Sequence, residues 1–324
     1  MANTHLPGLD AVRIAATLTI LLYHFEAETA TAGLAPPPVL GPCAQIAIWA
    51  LFLLSGAALA WQGRDEMRLS AYFRRRAAAI YPAFWLVFFP LFLYSDVLHA
   101  NNAAVPRWKL VFSVLGLDGY AQSFTATYYK IGEWFLGCLI LLYLLFPLLL
   151  RLRNSRVCAA VLAVLWFAWP QVCPAGIDPN HTLLGTLPVF ALGVFFGGRL
   201  KAASFGGGLL FAAVALFAAL LPLPARGTLL LAAVASFWVL FACGQRLCGR
   251  AARVAAVLAK NCYGTFLVHH VLLTLVLLPA MRRAACPLLY WLGIYLAAAL
   301  ALGAALRLLS GPLSRAIAHA SQLK

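Results

Sequence analysis

The stretch PGLDAVRIAATLTILLYHF, residues Pro7 to Phe25, decides the architecture of this chain. It is apolar and long enough to cross a bilayer as a helix, yet it carries Asp10 and Arg13 near one end and His24 near the other. An ionisable side chain in lipid costs several kcal/mol, so such groups normally face a protein interior or a water-filled cavity. The stretch therefore predicts a membrane helix that contributes to a functional site.

The composition of the whole chain extends this prediction. Of its 324 residues 64% are hydrophobic and 10% are charged, and the mean hydropathy is +0.90. These values exclude a soluble globular domain and indicate an integral membrane protein with lipids as its surroundings. The net charge of +15 is expected to reflect basic cytoplasmic loops and not a nucleic-acid partner.

Apolar runs near 20 residues long predict an all-α, polytopic helical bundle of about ten spans. Basic residues fall mostly on one side when the N-terminus is placed inside, so we expect an N-in, C-in topology. We also expect a single membrane domain, residues 1–324, with no soluble appended domain. The predicted spans are Pro7 to Phe25, Cys43 to Trp61, Tyr81 to Leu98, Trp134 to Leu150, Val157 to Val172, Thr182 to Gly198, Gly206 to Leu221, Thr228 to Cys243, Cys262 to Leu278 and Leu288 to Leu309.

Arg13 and His24 are eleven residues apart, which is about three turns, so both project from one face of the first helix some 16 Å apart along its axis. Asp10 precedes Arg13 by three residues and can hold its guanidinium. His24 is the best candidate for a general base, because imidazole titrates near neutrality. The alternative is that Arg13 only reaches to headgroups while His24 hydrogen-bonds a neighbouring helix.

Other polar residues allow two interpretations each. Ser55, followed by glycine, favours helix packing over a nucleophilic role, and Arg74, Arg75 and Arg76 are either a positive-inside signal or an anchor for a phosphorylated cytosolic ligand. Glu133, next to Trp134, would contact a hydroxylated acceptor or be solvated at the interface.

The ninth predicted span contains two adjacent histidines, His269 and His270. Neighbouring helical residues point about 100° apart, so we expect at most one of the two to face a cavity. The eight cysteines form no CxxC pair, and no His stands at zinc spacing, so no metal site is predicted.

Together these motifs resemble acyltransferase family 3, membrane enzymes that O-acylate bacterial polysaccharides and related glycans. LDAVRIAATLTILLYHF resembles the family's opening motif, whose Arg and His fall on Arg13 and His24. Four later blocks follow in family order: FLLSG at residues 52–56, the arginine run ending in IYP at Pro82, WFLGCLILLYLLFPLL from Trp134, and CYGTFLVHH from Cys262, which includes Tyr263 and His269.

The chain departs from the family pattern at several positions. Ala79 stands where the family has the second arginine of RxxR, and Leu139 where many members have Glu. In the late block Cys262 replaces a common Ser, and Phe266 replaces Tyr.

The resemblance implies an acyl-CoA-dependent O-acyltransferase of the bacterial inner membrane. It would transfer an acyl group, with acetyl expected, from acetyl-CoA to a glycan or other hydroxylated acceptor, without a metal. His24, Arg13 and Asp10 would be catalytic, Arg74, Arg75 and Arg76 would bind the coenzyme, and the supporting residues would be Ser55, Glu133, Trp134, Tyr263 and His269. The rival hypotheses are a transporter or lipid-linked sugar flippase, with Arg13, His24 and His269 along its path, and a structural membrane subunit.

Overall fold

A computed structural model describes residues 6–62, 67–198, 200, 205–219, 224–284 and 286–319. Every regular element in these ranges is helical, which confirms the all-α class. The α-helices are α1 Pro7–Thr31, α2 Gly41–Gln62, α3 Leu69–Phe92, α4 Leu110–Val114, α5 Asp118–Ala121, α6 Glu133–Leu152, α7 Arg156–Val172, α8 Leu183–Gly197, α9 Phe205–Ala219, α10 Ala225–Gly244, α11 Gly249–Val271, α12 Leu278–Met281 and α13 Leu288–His319. Short 3-10 turns occupy Arg107–Lys109 and Pro179–His181, and π-helical turns Leu93–Leu98 and Leu272–Leu277 extend α3 and α11.

Seven helices within the described ranges are long and apolar enough to cross a membrane: Pro7–Thr31, Gly41–Gln62, Leu69–Leu98, Glu133–Leu152, Ala225–Gly244, Gly249–Met281 and Leu288–Ala318. The fifth, sixth and seventh predicted spans fall on α7, α8 and α9, which have 17, 15 and 15 residues. The count of about ten is therefore not confirmed, and the N-in, C-in orientation remains a prediction. The expected end of the seventh span, Leu221, lies outside the described residues.

Two helices extend well beyond the apolar runs that predicted them. α3 begins at Leu69 and so includes the arginine run, and the helix that ends at Met281 begins at Gly249. Hydropathy marks only the apolar part of a helix, whereas backbone hydrogen bonding continues through the basic turns that precede it.

The described chain divides into two compact units, each assembled from separated stretches of sequence. The first comprises Met1–Arg64, Leu149–Leu165 and Thr186–Cys262, and the second Asp65–Leu148, Trp166–Gly185 and Tyr263–Lys324.

In the first unit α1 packs on α2 and α10, and α10 also packs on α9. Backbones approach closely where glycines lie in the interface, as membrane helices commonly do. A Cβ on Gly8 would lie 2.5 Å from the carbonyl oxygen of Phe241, and one on Gly56 would lie 2.2 Å from that of Phe190. Gly193 meets Leu53 in the same way, so small residues on both helices hold α2 against α8.

In the second unit a close glycine contact joins α11 to α13, and a hydrogen bond joins α11 to α3. A Cβ on Gly264 would lie 2.5 Å from the carbonyl oxygen of Gly303, while the Tyr263 hydroxyl donates to the Ile80 carbonyl at 3.1 Å. On α3 the Tyr72 hydroxyl donates to the carbonyl of Tyr143 at 2.9 Å, which ties α3 to α6.

The connection between α3 and α6 folds against its own unit. Trp85 Nε1 donates to the Val114 carbonyl at 2.9 Å. The Asp96 carboxylate binds Lys130 at 2.9 Å and accepts from Asn102 Nδ2 at 2.6 Å. Asp118 is 1% exposed and accepts a hydrogen bond from Ser113 Oγ at 2.8 Å. These contacts hold α4 against α3 and α5.

Replacing Gly56 by alanine is expected to destabilise the first unit by about 1–3 kcal/mol, because the new Cβ collides with backbone that cannot move away cheaply. Gly293→Ala is the matched control, since nothing lies within 4 Å of that helical position. Thermal unfolding in detergent would compare the two variants. Equal melting temperatures would contradict the close approach of α2 and α8.

The segment between α3 and α6, which contains Asp118, should become less stable as pH rises. Burial raises the pKa of Asp118 from its ordinary 3.8 to about 6, although hydrogen bonds from Ser113 and Thr127 oppose the shift. A raised pKa means that the folded segment favours the protonated carboxyl of Asp118. The contribution of this carboxyl to the stability of the segment is therefore complete below about pH 4 and is lost as pH rises through 6. Hydrogen exchange in residues 110–121, corrected for intrinsic rates, should therefore be faster at pH 7 than at pH 4.5. In Asp118→Asn the difference should vanish; its persistence would contradict this account.

Candidate active site

The first group of candidate residues lies on α1. Asp10 is 6% exposed, and its Oδ1 lies 3.5 Å from Arg13 Nη1, so the two form an ion pair one turn apart. Gln245 Oε1 accepts from the backbone N–H of Gly8 at 3.0 Å, which fixes the start of the helix. The charged end of α1 is thus held in place by partners within its own unit.

Cys262 also lies beside this group, although it is far from α1 in the sequence. Its thiol donates to the Leu258 carbonyl at 3.4 Å and lies near Thr17, Arg13 and Asp10. Cys262 is 7% exposed, and it occupies the position where the resembled family commonly has Ser. The substitution therefore replaces one small polar group by another beside the charged end of α1.

His24 lies in the second half of the same uninterrupted helix. Its ring is half-buried and meets Tyr23 edge to face, with centroids 5.2 Å apart. Near the end of α1, Glu26 Oε2 accepts from the backbone N–H of Leu40 at 2.8 Å and closes the turn into α2. Because α1 remains helical from Pro7 to Thr31, the spacing of Arg13 and His24 keeps both on one face.

The second group is a carboxylate between two histidines in the second unit. Glu133 Oε1 lies 3.5 Å from Nε2 of His269 and 3.6 Å from Nδ1 of His270. His269 is 1% exposed, and its Nδ1 lies 2.6 Å from the carbonyl oxygen of Phe266. A single carboxylate oxygen therefore reaches both rings, while the expectation that at most one of the two histidines faces a cavity stays a prediction.

Glu133 holds an unusual backbone conformation at the start of α6. Its φ is +41°, in the left-handed region that disfavours side chains, and the preceding Gly132 has φ +94°. A Cβ on Gly119 would lie 2.1 Å from the carbonyl carbon of Glu133, so only glycine fits there. The Tyr129 hydroxyl also hydrogen-bonds the Glu133 backbone. Strain of this kind costs about 1–3 kcal/mol and is concentrated at functional sites.

Trp134 stacks on His181, with ring centroids 4.1 Å apart and planes 17° from parallel. Asp178 lies three residues before His181, with Oδ2 3.6 Å from its Nε2. Burial lowers the pKa of His181, while Asp178 and Glu133 oppose that shift. The spacing of three residues between Asp178 and His181 is the sequence signal that indicates this contact.

The three arginines of the family-like run are on the first turns of α3. Arg75 is exposed, whereas Arg74 and Arg76 are half-buried. The Arg76 guanidinium lies 5.6 Å from the ring centroid of Tyr143. Arginine offers the planar fork that phosphate groups prefer, so this end of α3 provides a cationic group for an anionic ligand.

The remaining predicted residues have packing contacts. Ser55 is half-buried next to Gly56 in the α2–α8 contact, and the Tyr263 hydroxyl is engaged by Ile80. Leu139 is buried in the apolar interior, and Ala79 is exposed on α3. The acid that many family members carry at the position of Leu139 is thus absent there, and a carboxylate stands six residues earlier, at Glu133.

The comparison with protein families gives one match over nearly the whole chain. A model of acyltransferase family 3, described as an acyltransferase domain, matches residues 6–309. Acyltransferase MdmB of Streptomyces mycarofaciens is 30% identical over 187 residues, which cover 52% of this chain and 46% of that protein. The matched part thus spans about half the length of this curated relative. No solved structure matches the chain.

The family match includes both α1 and the Glu133, His269 and His270 group, and it extends from the first described residue into α13. The chain, which has several apolar helices of spanning length, therefore belongs to acyltransferase family 3.

Proposed function

We propose that this protein transfers an acyl group, with acetyl expected, from a coenzyme A thioester to a hydroxyl of a polysaccharide, lipid-linked glycan or similar acceptor. A bacterial inner membrane is the proposed location. The observation that carries the proposal is on α1, where an Asp10–Arg13 ion pair and a half-buried His24 occupy one uninterrupted apolar helix. Arg13 and His24 would be costly to expose to lipid, and they have the same spacing as the Arg and His of the family's opening motif.

In this reaction His24 acts as the general base. Its imidazole takes the proton of the acceptor hydroxyl, the oxygen attacks the thioester carbonyl carbon, and the carbon–sulfur bond breaks. Coenzyme A leaves as a thiolate and takes up one proton, so the reaction neither gains nor loses protons overall. Direct transfer is favoured over an acyl-serine route, because Ser55 lies in a helix contact next to Gly56.

The ion pair on α1 supports this chemistry electrostatically. Asp10 holds the Arg13 guanidinium at a fixed place on the helix, as an i, i+3 partner does. Because Arg13 lies about 16 Å from His24 along the helix axis, its proposed role is to attract the anionic part of the donor and not to bind the reacting carbonyl oxygen. Arg13→Lys tests geometry, since it keeps the charge but loses the planar fork.

Arg74, Arg75 and Arg76 are the proposed anchor for the phosphates of coenzyme A. The Arg76 guanidinium lies over the Tyr143 ring, and Tyr143 is in turn bound through its carbonyl by Tyr72. This support would hold the guanidinium in one orientation before the donor arrives, which reduces the cost of binding.

Substituting His24 by alanine should lower acetyl transfer at least about 100-fold, because the general base is lost. Transfer from labelled acetyl-CoA to endogenous glycan would be measured in membranes, with insertion checked by detergent extraction. His99→Ala, which changes an exposed histidine beyond α3, is the control. Unchanged transfer by normally inserted His24→Ala would refute the role of His24.

Substituting Arg76 by alanine should raise KM for acetyl-CoA about 10- to 100-fold and change kcat less, because a charge-assisted hydrogen bond to phosphate is lost. The KM of Arg76→Lys should lie between the values of the native protein and of Arg76→Ala, since lysine keeps the charge but lacks the planar fork of the guanidinium. Arg250→Ala, an exposed arginine on α11, provides the matched control. An equal effect in the Arg76 and Arg250 variants would contradict specific donor binding by the arginine run.

A further inference from the structure

Glu133 lies within ion-pair distance of both His269 and His270. Both histidine nitrogens approach the same carboxylate oxygen, at 3.5 Å for Nε2 of His269 and 3.6 Å for Nδ1 of His270. The two rings are stacked, with centroids 6.1 Å apart. A carboxylate oxygen offers more than one acceptor position, so it can face both rings at once.

The contact of His269 with its own helix determines where its protons are. Its Nδ1 lies 2.6 Å from the Phe266 carbonyl oxygen, which can only accept, so Nδ1 carries a proton. In a neutral ring Nε2 then has a lone pair and would face the oxygen of Glu133 without a hydrogen. The approach is favourable only when one further proton lies on Nε2 or on the carboxyl group. The contact between Glu133 and His269 is therefore favourable when the two groups hold one proton between them.

His270 connects this proton to the surroundings. The His269 ring is 1% exposed, whereas the side chain of His270 is 31% exposed and contacts the same carboxylate oxygen. A proton can thus pass from the buried ring through the carboxylate to the more accessible one. The left-handed backbone of Glu133, kept by Gly119 and Tyr129, aims the carboxylate at both rings.

We propose that Glu133, His269 and His270 form a proton-transfer site of the acyl transfer reaction. The proton held between Glu133 and His269 goes to the departing thiolate of coenzyme A, and a proton from water replaces it through His270, while the proton taken from the acceptor hydroxyl is released to water. The acceptor O–H and thioester C–S bonds break, and the ester C–O and thiol S–H bonds form, so the site ends as it began. This assignment rests on the proposed function.

Glu133→Gln tests the shared proton, because the amide cannot exchange one. Its kcat should fall about 100-fold or more with little change in KM, and Glu133→Asp should recover part of the loss. Asp178→Asn is the matched control, since Asp178 also contacts a histidine at 3.6 Å but is 46% exposed. The proton inventory of kcat in H2O–D2O mixtures should be curved in the native protein and linear in Glu133→Gln.

Glu133→Gly separates the proton site from a structural role. Glycine suits a φ of +41°, so this variant should melt at a higher temperature while losing acyl transfer. His270→Asn changes a partly exposed side chain and should also linearise the proton inventory. If Glu133→Gln and His270→Asn each keep full kcat while the separate His24→Ala variant is inactive, the proton-transfer site is overturned and the proposed function stands. Full activity of His24→Ala would instead refute the role of that base.

Discussion

The cost of placing a polar group in hydrocarbon is the constraint on which this structure depends. A bilayer offers no water to the backbone, so a spanning segment must satisfy its own hydrogen bonds, and the described chain does so with helices. The same cost applies to side chains. Asp10 therefore lies against Arg13, and Glu133 lies against His269 and His270, each group with a partner of complementary chemistry.

Close helix packing explains how these groups are kept in position. Apolar side chains gain little by leaving lipid for another helix, so tight backbone contact supplies much of the attraction. Glycines provide this contact at Gly56 in the first unit and at Gly264 in the second. Gly119 adds a further role, because it leaves room for the strained backbone of Glu133. At the start of α6, helix packing thus maintains a backbone conformation that Glu133 itself disfavours.

The sequence predicted the elements that depend on local properties. Hydropathy located the helices, and the i, i+3 spacing indicated the contact of Asp10 with Arg13. Length was harder to judge, because α7, α8 and α9 are apolar enough for a span but have fewer than 18 residues. Helix starts at Leu69 and Gly249 were missed because basic residues interrupt the hydropathy without interrupting the helix.

The candidate site was only partly visible in the sequence. The motif pointed to Arg13 and His24, whereas the contact of Glu133 with His269 joins residues 136 positions apart in the chain, and no spacing rule predicts such a pair. The left-handed φ of Glu133 was also unpredictable, since glutamate has no preference for that region. Cys262 appeared only as a departure from a family pattern, until the fold placed it beside Thr17.

The most direct measurement of the central claim follows acyl transfer itself in purified protein. Proteoliposomes would receive labelled acetyl-CoA together with glycan extracted from native membranes, and both free thiol and glycan ester would be measured. We expect one thiol to be released for each ester formed, and we expect both products to depend on the presence of both substrates. Movement of glycan across the bilayer without thiol release or ester formation would contradict this expectation.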